Sequence, residues 1–107
     1  MSEHGEIQIT CGSPEEAAAI ALHLVEHRLA ACVQSVPIGS FYAWAGTIHH
    51  DDEVLLLVKT RCEHFDAVAR VVEKLHSYEL PAITMVPIVG TLSYLERIDA
   101  QVAPTSG

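Results

Sequence analysis

The spacing of apolar positions along the chain changes repeatedly, and each change marks an element. Alternation over residues 7–11 predicts a short strand. Ser13-Pro14-Glu15-Glu16 then supplies an N-cap, a first-turn proline and a capping-box glutamate, so a helix starts there. Ala17, Ile20, Ala21, Leu24 and then Leu29 with Ala30 recur at helical spacing and face a core, while Glu16, His23 and Glu26 lie nearer water. The helix is expected to end within residues 28–30. Residues 31–36 read as a second strand, 37–40 interrupt or bulge it, and 41–44 resume it. The chain folds back around Tyr42-Ala43-Trp44-Ala45-Gly46 and returns through 47–50, with an irregularity at Asp51-Asp52. Residues 53–60 form a nearly continuous apolar run, the pattern of a strand buried on both faces. Thr60-Arg61-Cys62-Glu63 repeats the capping-box pattern, and Phe65, Val68, Val72 and Leu75 mark a second helical stripe ending near His76. A turn over 77–81, a strand over 83–86, a short helix carrying Leu92, Leu95, Ile98 and Val102, and a frayed tail over 103–107 complete the chain.

The predicted order is β-α-β-β-α-β plus a final helix, an α+β ferredoxin-like arrangement in one domain over 1–107 with its ordered core at about 6–102. Two helices would cover one sheet face and leave the other open. The hairpin over 31–60 is also far longer than a domain of this size needs, since typical strands run about five or six residues. Both features call for a partner surface, and a second copy of the chain is the expected one.

Composition changes this picture only in part. Half of the 107 residues are apolar and 19% are charged, a surplus that subunit association would use. A net charge of −8 with six Lys and Arg argues against a nucleic-acid partner, although acidity also serves plain solubility. Cys11, Cys32 and Cys62 are odd in number and lack a Cys-x-x-Cys pair, which points to a reducing, cytoplasmic setting rather than a disulfide framework. The start has no basic stretch followed by an apolar one, and no run approaches membrane-spanning length, so no membrane association is expected.

Catalytic signatures are missing: there is no phosphate-binding glycine loop, no His-Glu-x-x-His and no nucleophile elbow, and a non-enzymatic role is expected. His23 and His27, four apart, could face one ion or form an ordinary solvated face. His49 and His50 are adjacent in a strand and should point to opposite faces.

Three stretches together resemble the CutA family of small trimeric proteins associated with tolerance to divalent cations. They are Arg28-Leu29-Ala30-Ala31-Cys32-Val33; Tyr42-Ala43-Trp44-Ala45-Gly46 with the run from Glu53 to Thr60; and His76-Ser77-Tyr78-Glu79-Leu80-Pro81 with Pro87-Ile88. The resemblance implies a homotrimer whose long hairpins reach neighbouring subunits, as in the PII signalling proteins. It also implies copper or another divalent cation as ligand, with Cys11 and His76 at the metal positions, and no organic cofactor. Tyr42, Trp44, Lys59, Tyr78 and Glu79 match positions that line a cleft between subunits; Lys59 and Glu79 could equally form an ion pair. The chain departs from the family pattern at Ala45, Leu75, Ser77 and Ala82, where glutamate, a second histidine, proline and glutamate are common. Those departures fall on the metal site rather than on the fold. Two readings of function follow: a divalent-metal response protein, and a PII-like signalling or scaffold trimer that takes a small ligand in its cleft.

Overall fold

The computed structural model describes residues 3–104. Its elements are β1 (His4–Cys11), α1 (Pro14–Glu26), β2 (Cys32–Trp44), β3 (Thr47–Arg61), a 3-10 turn (Cys62–His64), α2 (Phe65–Leu75), β4 (Ile83–Pro87) and α3 (Leu92–Gln101). The strands pair antiparallel in the order β2-β3-β1-β4, the ferredoxin-like order expected from the sequence. None of the described helices is long and apolar enough to cross a membrane.

Residues directly opposite across a ladder share a face, so the register sorts the side chains. Ile7, Ile9 and Cys11 of β1 and Leu56, Val58 and Thr60 of β3 face α1 and α2 and are fully buried with Ile20, Leu24, Val68 and Val72. Glu6, Gln8, Leu55, Leu57 and Lys59 occupy the opposite face and are only half-buried. The expectation that β3 is buried on both faces therefore holds on one face of the single chain, because only α3 touches the other, at its end, where Asp99 bonds to His4 and Arg61.

The hairpin is more regular than its sequence implied. Pro37 pairs opposite Val54, Gly39 opposite Asp52 and Ser40 opposite Asp51, with neither the interruption expected at 37–40 nor the irregularity at Asp51-Asp52. β2 is an edge strand, where a proline's missing donor need not break a ladder. Ala45 (φ 51°) and Gly46 (φ 78°) make a two-residue turn with both centres in the left-handed region, the geometry that matches strand twist. β1 pairs with β3 only as far as Val54, so the end of the hairpin is a two-stranded arm. Such a ribbon is marginally stable in water without a surface to pack on.

Ser13 caps α1 by accepting the Glu16 amide. The helix stops at Glu26, earlier than expected. Arg28 (φ 57°) ends it, with the Leu29 amide donating to Leu24 O and the Arg28 amide to Val25 O, so Leu29 and Ala30 lie beyond it. The second capping-box pattern does not cap: the Thr60 hydroxyl donates to Leu29 O, Glu63 accepts from Arg61, and a 3-10 turn precedes α2. Leu75 is exposed rather than core. The tail expected to fray is anchored at its start, where the Ala103 amide donates to Arg28 O; residues 105–107 lie outside the described residues.

Candidate functional site

The end of β1, the first turn of α1 and the end of α2 meet at one point. There the Cys11 thiol, the Glu16 carboxylate and the His76 imidazole place their ligand atoms within 4.8 Å of one another. Cys11 is carried by the alternation of β1 to the helix-covered face, and His76 is the C-cap of α2, its side chain fully buried. Glu16 was expected near water. Instead its Oε1 accepts from the Gly12 amide (3.1 Å) and its Oε2 from the Ser77 amide (2.9 Å), so one carboxylate ties the helix start to the loop after α2.

Backbone partners assign the tautomer of His76. The Tyr78 amide donates to Nδ1 (3.0 Å), so the ring proton sits on Nε2, which donates to Thr10 O (2.6 Å). Burial, and then the charges of Glu16 and Glu53, push the Cys11 thiol up to about 11, so the neutral thiol fills this site at pH 7. Burial alone would raise the Glu16 pKa. The hydrogen bonds from Ser77 and the Gly12 amide, with His76 beside it, outweigh burial and hold the carboxylate below its ordinary value.

A borderline or soft divalent ion fits this donor set. Sulfur, imidazole nitrogen and carboxylate oxygen are the ligands such ions select. Donors bound at about 2.0–2.3 Å around a tetrahedral ion lie about 3.3–3.8 Å apart, so the ligand atoms must close inward by up to about 1 Å or a little more. An ion entering would displace the thiol proton and one of the two His76 hydrogen bonds.

Within the single chain, four of the five residues expected at a cleft between subunits lie together. Tyr42, Trp44, Tyr78 and Glu79, together with Glu53 and Leu80, line a groove of about 370 Å3 between the arm and the loop after α2. Tyr78 donates its hydroxyl to Glu53 (2.8 Å), and Tyr42 donates to Asp51. Lys59 is elsewhere: its ammonium donates to Glu6 (2.6 Å) and Gln34 (3.3 Å) on the open sheet face, and it forms no pair with Glu79. Tyr78 separates the groove from the Cys11 cluster, its ring tilted on His76 at 4.8 Å. A Cβ at Gly12 would lie 2.8 Å from the Tyr78 hydroxyl oxygen, so only glycine leaves the ring its place.

The histidine pairs stay apart from the Cys11 cluster. His23 and His27 stack at 3.9 Å on α1, while His49 stacks on Tyr42 and His50 on Phe41, on opposite faces of the arm.

Residues 6–101 match the model of the CutA1 divalent ion tolerance protein family. The chain belongs to this family. It is 45% identical over 100 residues to the divalent-cation tolerance protein CutA of Archaeoglobus fulgidus, spanning 92% of this chain and 98% of that one. The Thermus thermophilus protein of the same name is 46% identical over 92 residues, 84% of this chain and 89% of its own. Among solved structures, CutA1 from Oryza sativa superposes with a TM-score of 0.94 at 33% identity over 97% of both chains. The Archaeoglobus fulgidus structure, described as a periplasmic divalent cation tolerance protein, gives 0.92 at 44% identity over 94% of this chain and 99% of that one. Divalent-cation tolerance is thus the family's common thread, and the CutA members share the fold described above.

Proposed function

We propose that this CutA chain serves divalent-metal tolerance by binding the ion itself, copper first, at Cys11, Glu16 and His76. The observation that carries this reading is the convergence of three different donor types within 4.8 Å. In this reading the protein is a binder rather than an enzyme, and its three free cysteines fit a reducing, cytoplasmic setting. When bound, the metal supplies a positive charge that holds the three elements together. Glu16 and the thiolate would balance that charge, while His76 would exchange a backbone hydrogen bond for the ion.

Calorimetric titration of the reduced, tag-free protein with copper and zinc tests the reading. One ion per chain is expected, with binding abolished in the Cys11→Ser, His76→Ala double variant. Because the thiol stays protonated up to about pH 11, affinity should rise about tenfold per pH unit through neutrality as the displaced proton becomes easier to lose. Equal affinity in wild type and double variant would reject these ligands.

The assembly we propose is a homotrimer formed over the open sheet face and the arm. Leu55 and Leu57 on that face, with exposed Val36 and Val86, form an apolar surface that a single chain leaves uncovered. Sedimentation at micromolar concentration is expected to give three chains for the wild type and one for Leu57→Glu, which would bury a charge in the interface. A monomeric wild type would remove the trimer.

A PII-like reading, in which a small ligand enters the groove and a protein partner senses the arm, draws its support from the aromatic lining of that groove.

A further inference from the structure

The open sheet face carries a polar cluster that neither the metal reading nor the fold of one chain requires. Across the sheet Lys59 lies beside Glu6, and at the next pair on the same face Leu57 lies between Gln8 and Gln34. The Lys59 ammonium donates to Glu6 (2.6 Å) and Gln34 (3.3 Å), and Gln8 donates to the other oxygen of Glu6 (3.0 Å). These four polar side chains border Leu57 on three sides, and Val36, Leu55 and Val86 continue the apolar surface around them.

Two properties suit this cluster to being covered by another copy of the chain. It is ordered and largely screened from water before any second chain is present, with the Lys59 and Glu6 side chains 16% and 18% exposed. Most of the cost of desolvating and fixing the pair is therefore met within one chain. It is also electrically balanced. In a chain of net charge −8 with six Lys and Arg, one of those cations stands against Glu6, so this part of the face does not repel an equally acidic copy. The bonds from Lys59 and then Gln8 hold the Glu6 carboxylate below its ordinary value, and the pair stays ionised at neutral pH.

We propose that the Glu6, Gln8, Gln34 and Lys59 cluster selects how copies of the chain meet over the open face, admitting one registration and penalising the others. The inference rests on the trimer reading and adds to it the groups that choose the geometry. Apolar contact through Val36, Leu55, Leu57 and Val86 is non-directional, so it supplies attraction without specifying a register. The cluster is directional. Its internal bonds leave one Lys59 proton, the Gln8 carbonyl and the Gln34 amide group without a partner among the described residues. A copy whose own polar groups meet these three keeps them bonded. A copy displaced along the strands sets leucine or valine over them, and each group buried unbonded costs roughly tenfold in association. Polar groups inside an otherwise apolar interface select register in this way, at some cost in strength.

Fluorescence-detected sedimentation over a dilution series tests this on the full-length wild type, on Lys59→Met and on the Glu6→Gln, Lys59→Met double variant. Circular dichroism of both variants should match the wild type, because the pair lies on the surface of the single chain. Lys59→Met leaves the Glu6 carboxylate to be covered with no cation beside it, and should dissociate at a concentration about a hundredfold or more above that of the wild type. The double variant removes both charges, while the amide oxygen introduced by Glu6→Gln still accepts from Gln8, so association should return to within about tenfold of the wild type. It should nonetheless sediment as a mixture of two, three and more chains, where the wild type gives three alone. A wild type that stays monomeric would overturn the trimer reading and this inference together. With a three-chain wild type, three results would overturn this inference alone: Lys59→Met as tight as the wild type, a double variant as weak as Lys59→Met, or a double variant that forms three chains as uniformly as the wild type.

Discussion

Replacing His76 with alanine is expected to destabilise the protein by about 3 kcal/mol and to abolish metal binding. The imidazole is fully buried and serves two backbone groups at once, accepting from the Tyr78 amide and donating to Thr10 O. Alanine removes both bonds, leaves those groups without their partner and opens a void between β1 and the loop after α2. Chemical denaturation should therefore show a lower midpoint with an unchanged slope. The loss also reaches the groove, because Tyr78 is positioned by the same ring. Trp44 emission should shift in His76→Ala even without ligand. A variant as stable as the wild type would mean that these bonds are replaced by water at no cost.

The second large effect is expected at Glu16. Its two carboxylate oxygens accept from two backbone amides, Gly12 and Ser77, while its own amide donates to Ser13. Glutamine has nearly the same shape but one acceptor fewer, and turning its NH2 toward either amide sets donor against donor. Glu16→Gln should cost about 2 kcal/mol, more than an ordinary isosteric surface change, and should weaken metal binding severalfold. The pH dependence follows from the sign of the shift. A carboxylate held below its ordinary value of 4.5 in the fold contributes stability that is fully present above that value and is lost as pH falls through its lower folded pKa. The wild type should lose stability in that acid window, and Glu16→Gln should lose less. Parallel acid melting curves for the two proteins would show that Glu16 is not the group responsible.

Most of the fold was legible because its elements carry clean periods. Ile7, Ile9 and Cys11 alternate, Ala17, Ile20 and Leu24 follow helical spacing, and these same residues form the buried core. Two similar capping patterns behaved differently for a reason outside local sequence. Ser13 is free to cap, whereas Thr60 still belongs to β3 and its hydroxyl satisfies Leu29 O, a tertiary partner invisible in a capping box. The interruption expected at Pro37 failed because the sequence does not reveal that β2 lies at an edge.

The candidate site was half legible. Cys11 and His76 were found through family resemblance, whereas Glu16 was assigned to the solvent side. The missed signal was the capping box itself: a glutamate at its third position folds back on the residues just before the helix, and here those residues adjoin Cys11. Within one chain, register sets Lys59 opposite Glu6, away from Glu79, so its place at a cleft between subunits rests on a neighbouring chain. Glu53 escaped notice as one polar residue opening an apolar run, yet it anchors Tyr78.

Zinc titration of uniformly 15N-labelled protein, followed by NMR of the histidine ring nitrogens and the backbone amides, tests the central claim most directly. The account predicts that the His76 ring nitrogens shift first and saturate at one ion per chain, with the Tyr78 and Ser77 amides moving alongside and the His23 and His27 rings unaffected until zinc is in excess. Shifts confined to the stacked His23 and His27 rings, with His76 still bonded to Thr10 and Tyr78, would contradict it.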